Sequence, residues 1–157
     1  MLYRVVSLGW LLSLQGCASL LLPSPFRILH SAVPCLPCGL HESVLVHASV
    51  ALTQFPFLED IDTGHAWYVV DLVPDVVFTA PNITTLLLGK RVPGTVRVWT
   101  LPRAPTDDRE WGVWMDAFPY HRLRGPTYHF YTNNCIHYAR DMVRRMRSEG
   151  GTKNPPI

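Results

Sequence analysis

From Cys135 to Met146 the apolar residues Cys135, Tyr138, Ala139, Met142, Val143 and Met146 recur at steps of 3, 1, 3, 1 and 3, and Arg140, Arg144, Arg145 and Arg147 fall off that stripe. This is the period of an α-helix with one buried face. Such a helix needs a broad apolar partner to cover it, and Thr132-Asn133-Asn134 supply side chains suited to capping its first turn.

The partner is legible upstream. Ala66 to Val73 and Asp75 to Thr79 are β-branched and aromatic runs divided by Pro74, which reads as a hairpin or a bent pair of strands. Thr95 to Leu101 alternates cleanly after the turn residues Pro93-Gly94, and Tyr128 to Tyr131 reads as a last strand. Between them, Thr106 to Phe118 opens on Asp107-Asp108 and places Trp111, Trp114, Met115 and Phe118 at i, i+3, i+4 and i+7, an amphipathic helix. Pro34 to Gly39 is a loop by its punctuation, and Glu42 to Phe57 fits either a helix or a strand. With no internal repeat and no linker, residues 26–148 are expected to form one α+β domain, a small antiparallel sheet packed on a C-terminal helix that carries Cys135. Residues 149–157 read as a flexible tail.

The first 25 residues belong to something else. Val5 to Leu22 is an uncharged run of 18 residues ended by Pro23-Ser24-Pro25, long enough to approach the span of a bilayer core of about 30 Å. A cleavable signal, an uncleaved anchor and, through Leu14-Gln15-Gly16-Cys17, a lipoprotein-type signal all fit the residues. Each sends the protein to a membrane or across one, so contact with a membrane through residues 5–22 and a place in the endomembrane system or secretory pathway are expected. The sequon Asn82-Ile83-Thr84 agrees with a lumenal body. A net charge of only +2, from 14 basic and 12 acidic residues, creates no field suited to a polyphosphate backbone, which argues against nucleic acid as a partner.

The 4 cysteines separate by context. Cys17 lies in the targeting run. Cys35 and Cys38, with His41 and His47, have spacings compatible with zinc, while a local disulfide and plain thiols fit as well; Pro37 and Gly39 oppose the helix that a redox CxxC motif requires. Cys135 stands at the start of a helix, where aligned backbone dipoles and unpaired N–H groups favour a thiolate, although a small buried hydrophobe is the bland alternative. Gly64-His65 precedes the first strong strand, so a histidine opens a strand and 70 residues later a cysteine opens a helix. That is the order of a permuted papain-like thiol fold, in which an imidazole deprotonates a thiol for attack on an acyl carbon. Trp111 and Trp114 read as core, and His121, His129 and His137 as surface.

From Thr63 to Met146 the chain resembles the family of transmembrane protein 222 and the plant reversion-to-ethylene-sensitivity proteins. The resemblance rests on Gly64-His65, Val76-Val77-Phe78-Thr79-Ala80-Pro81-Asn82, Gly89-Lys90, Val98-Trp99-Thr100-Leu101, Trp111 and Tyr131-Thr132-Asn133-Asn134-Cys135. It implies a permuted papain-like fold shared with lecithin:retinol acyltransferase-like and NlpC/P60-like proteins, with Cys135 as nucleophile and His65 as base. Where the family carries an aspartate to orient the imidazole, this chain has Val77; Asp71, on the same strand face as His65 by parity, and Asp75 or Asn82 are the candidate replacements. The expected activity is that of a membrane-associated thiol hydrolase or acyltransferase without a cofactor. The alternative is a non-catalytic endomembrane regulator that binds a membrane-protein partner.

Overall fold

A computed structural model describes residues 24–31, 40–54, 58, 61 and 64–150. The run Val5 to Leu22, the tail from residue 151 onward, Cys17, Cys35 and Cys38 lie outside the described residues. Among the described residues no helix is long and apolar enough to cross a membrane.

Among the described residues five strands form one antiparallel meander in chain order: β1 (Phe26–Ser31), β2 (His41–His47), β3 (Trp67–Pro74), β4 (Gly94–Leu101) and β5 (His121–Arg124). Helix α1 (Ala48–Gln54) follows β2, α2 (Ala80–Leu87) joins β3 to β4, α3 (Asp108–Ala117) joins β4 to β5, and α4 (Cys135–Gly150) follows β5. The architecture is α+β, with a C-terminal helix on an antiparallel sheet.

Alternation along the strands makes two cores. Val44, Val46, Tyr68, Val70, Leu72, Val96 and Val98 face one way and bury Ala139, Met142, Val143 and Met146, the stripe of α4 anticipated from its period. On the other face Leu29, Leu45, Val69, Trp99 and Leu101 bury Trp111 of α3. Trp99 and Trp111 meet edge to face with centroids 5.1 Å apart, an arrangement worth about 1 kcal/mol beyond the area it buries. Helix α3 starts where Asp107 accepts a hydrogen bond from the Glu110 amide at 2.7 Å.

Two strand expectations fail. Asp75 to Thr79 does not pair: Val77 is 75% exposed and Phe78 38%, and Pro81 in the first turn of α2 turns the chain into a helix instead. Only Val76 of this run packs on the core, and one β-branched contact does not hold a ladder. Tyr128 to Tyr131 is no strand either; it contributes the isolated bridges Val92↔Tyr128 and His129↔Asn133 within a tight loop. The fifth strand is His121–Arg124, whose polar sequence carries little strand signal and which is held by register with Thr95–Val98. The undecided stretch from Glu42 to Phe57 divides into β2, which opens one residue earlier, and α1, with residues 55–57 outside the described residues. Gly94 is required by close approach, since a Cβ there would lie 2.1 Å from the Pro126 carbonyl oxygen.

Candidate active site

The antiparallel ladder between β2 and β3 comprises four pairs, Val44↔Val70 to His47↔Trp67. At the next positions toward the start of β2, side chains rather than backbone join the strands. His41 Nε2 lies 2.5 Å from Asp71 Oδ2, with both side chains fully buried. An ionised carboxylate can only accept, so Nε2 carries the hydrogen and Nδ1 is left as the nitrogen free to exchange a proton.

Asp71 is held from its far side by β4, where Arg97 is its direct partner in the ladder. Arg97 Nε donates to Oδ1 at 3.0 Å and Nη2 to Oδ2 at 2.7 Å, a two-pronged clamp on a planar carboxylate. The guanidinium is itself stacked over Trp99 at 4.8 Å and Tyr120 at 5.3 Å from the ring centroids. Burial pushes the Asp71 carboxyl upward, but the hydrogen bond from His41 and the charge of Arg97 outweigh it and hold it below the usual range.

The third element is the start of α4. Cys135 is its first residue and is 1% exposed. Its side chain stands beside His41: burial works against a charged imidazole, yet interactions with Asp71 and then with Cys135 raise His41 from 6.5 to about 9. The His41 Nδ1 atom is buried and has no hydrogen-bond partner, so the thiol lies near the ring without a closed hydrogen bond. Catalytic pairs are often this loose before substrate binds. One turn along α4, burial and then the charge of Asp71 push the Tyr138 phenol up to about 12, which sets the first turns of the helix in the field of the same carboxylate.

The start of α4 is built by Asn134. Its Oδ1 accepts from the amides of Ile136 at 3.0 Å and His137 at 3.2 Å, and its Nδ2 donates to the Phe130 carbonyl at 2.7 Å. The Cys135 amide is the first-turn donor that Asn134 leaves unclaimed. Arg140 reaches Glu42 at 3.1 Å and ties α4 to the strand that carries His41.

Cys135 and Asp71 are therefore brought together, but the imidazole between them is His41 and not the expected His65. His65, six residues before Asp71, is half-buried ahead of β3, which opens only at Trp67, and the carboxylate of Asp71 is taken by His41 and Arg97. Asn82 lies in the first turn of α2, its amide donating to the Val77 carbonyl at 2.8 Å, and takes no part in the pair. Asp75, another possible orienter, is exposed and bonds Arg122 at 2.8 Å.

The zinc reading is also corrected. His41 and His47 sit at opposite ends of β2, about 20 Å apart, with Nε2 of His41 held by Asp71 and Nδ1 of His47 against Ser49 at 2.7 Å. One tetrahedral centre cannot include both. Among the described residues no group of three or more His, Cys, Asp or Glu side chains converges on a metal position. No protein-family model, curated protein or solved structure matches the chain, so its chemistry rests on the residues of this site.

Proposed function

We propose that the chain is a thiol hydrolase or acyltransferase of permuted papain-like type, with Cys135 as nucleophile, His41 as general base and Asp71 as the group that orients the imidazole. The observation that carries the reading is the meeting of a thiol, an imidazole and a carboxylate from α4, β2 and β3, in the order that acyl-transfer chemistry uses. His41 Nδ1 holds the proton of Cys135 as an imidazolium beside the thiolate, the charge state its raised value favours, sulfur bonds the acyl carbon, and the carbonyl oxygen gains the negative charge. The Cys135 amide is the donor suited to that oxyanion. Collapse of the adduct breaks the bond to the leaving group, which departs with the proton from His41. Water, or a second acceptor, then attacks the thioester through the same base and frees the thiol. The apolar run Val5–Leu22 would hold this activity at a membrane or within the secretory pathway.

The 1% exposure of Cys135 favours a second reading, a non-catalytic protein of the same fold that acts by binding a membrane-protein partner. Alkylation separates the two. In the thiol-enzyme reading iodoacetamide modifies Cys135 in the folded protein near pH 7, and His41→Ala slows modification by on the order of 10²-fold, the usual contribution of a positioned base. Modification that is absent in the folded protein, or equal in rate for the native protein and His41→Ala, rejects the enzyme reading in favour of the second.

A further inference from the structure

Away from the thiol, where β3 ends, β4 begins and β5 ends, an open groove of about 790 Å³ is lined by Asp75, Arg91, Arg122, Arg124 and Thr127, within the size range of small-molecule sites. Its backbone wall is tightly built: the Gly125 amide donates to the Gly94 carbonyl at 2.9 Å, and a Cβ on either glycine would collide with its surroundings. A second hollow of about 190 Å³ shares Arg91 and Thr127 with it and runs along His129, Thr132 and Asn133.

The charges in the groove do not balance. Arg122 is paired with Asp75 at 2.8 Å, whereas Arg91 and Arg124 form no salt bridge among the described residues. Two uncompensated guanidiniums that line one concavity repel each other, and the arrangement is relieved by a group carrying about two negative charges. A phosphomonoester has that charge near neutral pH, and its oxygens suit the planar donor fork of arginine. Thr127 adds a hydroxyl donor at the rim shared with the second hollow.

We propose that this groove is a binding site for a small ligand bearing a phosphomonoester, held by Arg91 and Arg124 with Arg122 at its wall. Free phosphate and an organic phosphate share this chemistry, and the volume of the groove favours the second, whose carbon skeleton fills the remainder. The site is independent of the Cys135 chemistry.

The test is a titration of the full chain followed by amide chemical shifts, with glycerol 3-phosphate, inorganic phosphate and glycerol as separate probes. Glycerol 3-phosphate is expected to bind at about 1 mM or tighter, with shifts centred on Gly94, Gly125 and Thr127 and no response to glycerol. Arg91→Ala and Arg124→Ala should each weaken it about tenfold and Arg124→Lys by less, since lysine keeps the charge but not the fork. Both arginines are exposed, so folding should survive these changes. Cys135→Ala should bind as the native protein does, which keeps this outcome separate from the fate of the thiol reading. Tighter binding of inorganic phosphate than of glycerol 3-phosphate assigns the site to the free anion and overturns the organic ligand. Shifts outside the groove, or affinities unchanged in both arginine variants, overturn the site itself.

Discussion

Asp71 bears the largest consequence of any single residue in this structure. It is fully buried and ionised, and it satisfies Arg97 and His41 together. Asp71→Asn keeps the shape but leaves the partly buried Arg97 guanidinium without its counter-charge, so a destabilisation of about 2–3 kcal/mol is expected in urea unfolding. The same variant should lower the titration midpoint of His41 from about 9, read by imidazole proton shifts. An unchanged midpoint would mean that Asp71 does not set the protonation of His41. At this scale Cys135 and Asp71 were legible as chemistry-bearing residues, and His41 was visible only as a possible metal ligand. Parity along β3 made His65 attractive because it reports which face a residue is on, but the strand opens only at Trp67.

At the scale of elements, the long-period signals held. The stripe from Cys135 and the window from Thr106 both fold as helices, and Thr95 to Leu101 lies in strand β4, between β3 and β5. The failures were segments whose composition and environment disagree, namely the run Val76-Val77-Phe78, in which only Val76 packs on the core, and the polar strand His121–Arg124. Asn134 decides how α4 begins, because it occupies two first-turn amides and anchors the preceding loop. Asn134→Ala should cost about 1 kcal/mol in stability. It should also slow iodoacetamide modification of Cys135, since the thiol would no longer be held against His41. A stability loss with unchanged modification would limit Asn134 to a capping role.

The whole molecule inherits a pH dependence from its buried site. His41 is raised from 6.5 to about 9 on folding, so the stability it contributes is fully present below pH 6.5 and is lost as pH rises through about 9. Asp71 is shifted the other way: its contribution is present above pH 3.8 and is lost as pH falls through its lower folded value. Unfolding free energy should therefore fall between pH 6.5 and 9, and His41→Ala should flatten that limb; an equally steep limb in the variant would place its origin elsewhere. The α+β class, the sheet-on-helix packing and the location of Cys135 at a helix start follow from residue periodicity and capping, which are local properties of the chain and need no knowledge of distant partners. The choice of His41 over His65, the clamp of Arg97 on Asp71 and the arginine groove depend on strand order and register. Those are set by contacts among residues far apart in sequence, where no local pattern records which side chains will meet.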